Sequence, residues 1–134
     1  MKKAIWAAVL AAIVSIFAIS CSKTSMNSSK LIGTWKLVSV TVAKGSASET
    51  QTVTGGYTIQ FVKGGSIFVS ETTGSRTYSY SGTWNVIDDD LYTVFDDEVT
   101  TLHIDEINGK SLTLTHNETS NGTVYSVTES FAKI

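Results

Sequence analysis

The chain has 134 residues with 10 basic against 12 acidic side chains, 10 glycines, no proline and one cysteine. A net charge of -2 argues against nucleic acid or anionic lipid as a partner. A single cysteine excludes an intramolecular disulfide framework, and the length suits one domain that buries a core without such staples. At the N-terminus, Met1-Lys2-Lys3 gives a short positive start, Ala4 to Ala18 an apolar run, and Ala18-Ile19-Ser20 a small-residue end before Cys21. This is the layout of a secretory signal peptide, with an apolar run shorter than the roughly 20 residues of a spanning helix. Removing residues 1–20 from 134 leaves 114 residues in which 8 basic side chains face 12 acidic ones, because Lys2 and Lys3 go with the leader. The mean hydropathy of +0.10 is raised by that leader.

Cys21 sits at the cleavage point, where an unpaired thiol in an oxidising compartment would be a liability. Ala18-Ile19-Ser20-Cys21 resembles a bacterial lipobox, and the resemblance implies acylation of Cys21 as the first residue of the mature chain. Ala18 stands where such signals usually carry Leu, Val or Ile, so ordinary signal-peptidase cleavage at the same bond is the alternative. Several acyl chains exceed the two-signal minimum for stable anchoring. Ser22-Lys23 lack the acidic run that resembles a surface-export signal. The resemblance therefore implies an outer-membrane lipoprotein whose domain faces the periplasm, with the cell surface as the alternative. Cys21 to Lys30, rich in Ser, Thr, Asn and Lys, is expected to be a flexible tether.

From Leu31 to Ile134 short β-branched and aromatic runs alternate with Gly, Asn, Asp and Ser, and no long stretch has helical periodicity. Strands are expected at Ile32–Val42, weakly at Thr50–Thr54, and then at Tyr57–Lys63 after a turn at Gly55-Gly56. Tyr57, Ile59 and Phe61 share one face of the last. Gly64-Gly65 reads as a two-residue hairpin leading to Ser66–Thr72. Arg76–Val86 splits most cleanly, with Tyr78, Tyr80, Gly82, Trp84 and Val86 on a packed face and Thr77, Ser79, Ser81, Thr83 and Asn85 on a solvated one. Leu91–Phe95 and Val99–Ile107 follow, separated by acidic turns. Asn108-Gly109 and Asn121-Gly122 then set off Ser111–His116 and Thr123–Lys133. Consecutive hairpins without a long crossover predict an all-β, antiparallel up-and-down barrel of eight or nine strands, preceded by the signal helix.

Gly33-Thr34-Trp35 at the head of the first strand resembles the Gly-x-Trp signature of lipocalins. The hairpin spacing after it is similar to the small lipocalin-like domains of bacterial lipoproteins, so residues 31–134 are expected to be such a barrel. The resemblance implies that Gly33 and Trp35 close one end. It also implies that Lys133 packs over Trp35 in place of the arginine that classical members carry in their last strand. Trp35, Tyr57, Ile59, Phe61, Tyr78, Tyr80 and Trp84 either line an apolar ligand pocket or simply fill the core.

For function, the residues show no nucleophile paired with a base and no phosphate loop, so no enzyme is expected. His103, His116 and Asp105 lack the spacing of a metal site, and no metal or cofactor is expected. The acidic turns at Asp88–Asp90 and Asp96–Glu98 read as solvated hairpin tips. The expectation is a monomeric envelope lipoprotein that binds a small apolar ligand without catalysis. The alternative is a filled barrel acting as a protein-interaction module.

Overall fold

The alternating runs fold as nine strands: β1 (Gly33–Lys44), β2 (Ala47–Thr52), β3 (Gly56–Val62), β4 (Ser66–Thr73), β5 (Arg76–Ile87), β6 (Asp90–Phe95), β7 (Glu98–Ile107), β8 (Ser111–Ser120) and β9 (Thr123–Lys133). The computed structural model describes residues 26–134, so the leader, Cys21 and the first half of the tether lie outside the described residues. Each strand pairs antiparallel with the next along β3 to β9, and β9 returns to β1 over Trp35↔Lys133 to Ala43↔Ser126. That last pairing closes the sheet and joins the first and last strands, whose edges an open meander would expose.

The strand count exceeds the stave count by one because of Gly55-Gly56. This pair was expected to turn the chain, but β2 and β3 both run antiparallel to β1 on the same side, β2 against Ser39–Lys44 and β3 against Gly33–Lys36. They form one stave with a break at residues 53–55, where Val53 N still donates to Val38 O at 2.8 Å. The break answers the bulge between Leu37 and Ser39 on β1, which re-aims the inner face from Leu37 to Val40. Of the two halves only β3 pairs with β4, so β2 is an edge, short, polar and exposed throughout.

The tether expectation also needs correction, since residues 26–31 form a short helix. Leu31 is completely buried, and the Asn27 amide donates to Asp88 O at 2.6 Å and to Asp89 Oδ1 at 3.3 Å. Composition alone marks this segment as unable to fold; what orders it is the barrel end it lands on. The hairpins divide into two sets. The turns β3–β4, β5–β6 and β7–β8 lie at this helix-covered end, while β1–β2, β4–β5, β6–β7 and β8–β9 lie at the other. Gly64-Gly65 belongs to a three-residue connection, Lys63 to Gly65, rather than the two-residue loop its sequence suggests.

Candidate functional site

The site is defined first by what seals it. Trp35, fully buried, donates its indole N–H to Leu31 O at 2.8 Å, and Trp84 donates to Val62 O at 3.1 Å. Lys133 Nζ donates to Ile32 O at 3.0 Å and stands 5.2 Å from the Trp35 ring centroid, within cation–π range. Gly33 makes this packing feasible. Its φ is +133°, and a Cβ there would lie 2.7 Å from Lys133 Cε. The Phe61 ring meets Trp84 edge-on at 5.3 Å, which continues the seal into the barrel.

Beyond the seal the interior is not filled. A cavity of about 160 Å³ lies between Ile59 and Phe61 of β3, Ile67 and Val69 of β4, Leu91 of β6, Leu102 of β7, Leu114 of β8 and Phe131 of β9. Tyr57, Tyr80, Thr93, Phe95 and Glu129 complete its wall. Gly82 shapes it from β5: a Cβ there would collide with Val94 O and fall 2.7 Å from the Phe95 ring. Without that Cβ, Phe95 lies across β5 and meets Tyr80 edge-on at 5.2 Å. The upper part of the space leads to the end without a helix, where Tyr80 and Val42 are 43% and 40% exposed.

The polar groups of the wall are few and coupled. Glu129 faces Leu114 on β8 and Val40 on β1, with its side chain 21% exposed. His116 Nδ1 stands 3.6 Å from it, too far for a hydrogen bond, and His116 Nε2 instead reaches Glu118 Oε1 at 3.0 Å. Among the described residues Nδ1 is itself buried without a hydrogen-bond partner. Burial raises the Glu129 carboxyl above its ordinary pKa of 4.5; His116 opposes that rise and Glu118 adds to it. Burial, followed by the neighbouring Tyr80, raises the Tyr57 hydroxyl far above the ordinary 10.0.

A closed antiparallel barrel, plugged at one end by the Gly-x-Trp tryptophan and hollow toward the other, is matched by the sequence itself: the family model described as a lipocalin-like domain covers residues 31–114. The chain belongs to this family. Among solved structures, a lipocalin-like protein from Bacteroides uniformis is 14% identical, with a TM-score of 0.60 over 78% of this chain and 99% of that one. Lobster apocrustacyanin A1 is 11% identical, with a TM-score of 0.57 over 84% of this chain and 66% of that one. The bovine lipocalin allergen Bos d 2 is 14% identical, with a TM-score of 0.50 over 80% and 75%. Such identities convey the fold alone. No curated protein matches the sequence.

The lipocalin-like barrel separates the seven aromatic and aliphatic candidates into three places. Tyr57, Ile59, Phe61 and Tyr80 line the cavity. Trp35 and Trp84 belong to the seal, and Tyr78 stands at the mouth, 52% exposed. The packed face expected for β5 is therefore buried only at Trp84 and Val86, because its first half rises past the rim. His103 and His116 do not meet. His103 is on the outer wall, 3.3 Å from Asp90 and 3.6 Å from Asp105, while His116 faces inward. Among the described residues no group of three His, Cys, Asp or Glu side chains is placed to hold a metal.

Thr93 and Glu129 were missed by sequence reasoning, although alternation reveals both. Each interrupts an apolar stripe of a lipocalin-like stave, Thr93 between Leu91 and Phe95 and Glu129 between Val127 and Phe131.

Proposed function

We propose that this protein binds a small, mainly apolar molecule through the open end of the barrel while tethered to the bacterial outer membrane by an acylated Cys21. The observation that carries the binding reading is the 160 Å³ cavity with a wall of Ile, Leu, Val and Phe side chains. Engineered cavities of about 150 Å³ with such linings stay dry and take up benzene, so one ring or a short alkyl chain is the body that fits. The volume is well below the roughly 300 Å³ at which drug-sized pockets begin, so anything larger would protrude between the rim strands. A filled interaction module would need its interior blocked. Here Trp84 belongs to the seal, Phe61 forms part of the cavity wall, and Tyr78 lies at the mouth.

The anchoring half of the proposal rests on the leader and the position of Cys21, and a monomeric state is supported by the closed sheet, in which β2 is the one free lateral edge among the described residues. Saturation-transfer NMR with toluene tests binding. Transfer to toluene that is lost in Leu114→Phe, where the added ring fills the cavity, is the expected result. No transfer with the wild-type barrel, together with no small molecule in native mass spectra of protein from its own host, would reject the reading. Mass analysis of the mature N-terminus tests the anchor independently.

A further inference from the structure

We infer that the ligand of this barrel is a small amine whose protonated nitrogen pairs with Glu129 while its ring or short alkyl body fills the apolar cavity, an inference that rests on the binding function proposed above. Among the lining residues of the cavity, Glu129 is the one carboxylate, and no lining residue is Lys, Arg or His. Its carboxylate has no side-chain hydrogen bond among the described residues, and His116 Nδ1 stops at 3.6 Å. A carboxylate set against an apolar wall, 21% exposed and facing one imidazole beyond hydrogen-bond reach, is incompletely solvated, and a bound cation or strong donor would relieve it.

The neighbours of Glu129 reinforce the sign. From β8, His116 lies between Glu129 and Glu118, so even a protonated imidazole balances only one of the two carboxylates. Glu129 and, from β4, Glu71 both act on Tyr57 of β3, as does Tyr80 of β5. Val40 is what β1 presents to Glu129. The Tyr57 hydroxyl is held in its neutral form by burial and leaves no tyrosinate to compete for the cation.

The rim has the same polarity. The open-end hairpins and the strand ends just below them carry Glu49, Glu71, Asp96, Asp97, Glu98 and Glu118, against Lys44 and Arg76. The other lysines of the described chain, Lys30, Lys36, Lys63, Lys110 and Lys133, lie toward the sealed end. A cleft of one sign concentrates ligands of the other at its mouth. A carboxylate ligand would have to pass that rim and then share a low-dielectric cavity with Glu129, where like charges repel most strongly.

Three single-ring probes of matched size test this: benzylamine, toluene and benzoate, titrated into the wild-type domain and into Glu129→Gln at pH 7.5. Benzylamine should bind the wild type roughly tenfold or more tightly than toluene, as a charge-assisted hydrogen bond implies, and benzoate should bind more weakly than toluene. Glu129→Gln should erase the amine preference and keep toluene affinity, with an unchanged circular dichroism spectrum as the check on folding. Toluene binding as tightly as benzylamine, benzoate binding best, or an amine preference that survives Glu129→Gln would each overturn the inference and leave apolar binding in place. If none of the three binds, the binding function falls, and the amine falls with it.

Discussion

The two ends of this barrel use the same three-residue phrase for opposite purposes. In β1, which leaves the sealed end, Gly33-Thr34-Trp35 puts its glycine at the rim and its tryptophan one step inside. In β5, which runs toward that end, Gly82-Thr83-Trp84 puts the tryptophan into the seal and the glycine against Phe95 of the cavity wall. Both indoles are hydrogen-bonded, both glycines admit a neighbour that a side chain would exclude, and yet one triplet closes space where the other opens it. Strand direction makes the difference. The sealed end satisfies its polar groups and balances its charge, whereas the open end leaves Glu129 without a hydrogen bond and keeps an acidic excess at the rim.

Substitutions at the two ends should therefore differ most in stability. Trp35→Ala removes a fully buried ring and orphans Leu31 O, and should destabilise by about 3–5 kcal/mol. Tyr80→Ala at the mouth, 43% exposed, should lose only about 1 kcal/mol, most of it the edge contact with Phe95. Urea midpoints read both, and equal losses would break the division into a load of packing at one end and a vacancy at the other. Gly82→Ala comes next. Its new Cβ would collide with Val94 O, so β5 and β6 must part, at about 1–3 kcal/mol, and a displaced Phe95 should weaken toluene uptake as well. Gly109→Ala, with nothing within 4 Å and no positive φ, is the matched control and should stay within about 0.5 kcal/mol.

The same contrast explains what the sequence discloses. Alternation found every stave, since a half-buried strand must repeat every second residue, and it placed Tyr57, Ile59 and Phe61 on the inner face that the structure gives them. Alternation reports the face and not the height along the barrel. That is why Tyr78, Trp84 and Trp35 looked equivalent to Tyr80, although one stands above the cavity and two below it. Gly55-Gly56 was misread because a glycine pair marks backbone freedom, and only the tertiary pairing of β2 and β3 with one strand decides between a reversal and a break. The helix over residues 26–31 is invisible to composition for a related reason: its order comes from Asp88 and Asp89, about sixty residues away.

Glu129 gives the open end a pH dependence of its own. Its carboxyl is held above the ordinary 4.5, chiefly by burial, so the folded barrel keeps that proton where the unfolded chain has released it. The stability it contributes is fully present below about pH 4.5 and is lost as pH rises through the raised value. Tm measured from pH 3.5 to 8 for wild type and Glu129→Gln should diverge over that window, with the variant gaining relative to wild type as pH increases. Subtracting the two curves cancels the other carboxylates. A difference that is flat in pH would mean that the cavity does not hold this group out of water.

The smallest effect separates strain at the open end from its charge. Asp96 and Asp97 form the β6–β7 turn with φ of 48° and 64°, close to the 51° and 77° of Asn121 and Gly122 in the β8–β9 turn. Positive φ at both central residues is the type I′ arrangement that favours Asn-Gly, and an aspartate in the second place is strained where glycine is not. Asp97→Gly relieves that strain at the expense of a more flexible unfolded chain, and should raise stability by a few tenths of a kcal/mol to about 1 kcal/mol. It also takes one negative charge off the rim. Stopped-flow association of benzylamine at low salt should slow modestly while dissociation is unchanged, because a rim charge acts on encounter rather than on the bound pair. Higher ionic strength should remove the difference. A variant that is more stable and no slower would show that the acidic turn serves the hairpin alone, leaving Glu129 as the only charge that selects the ligand.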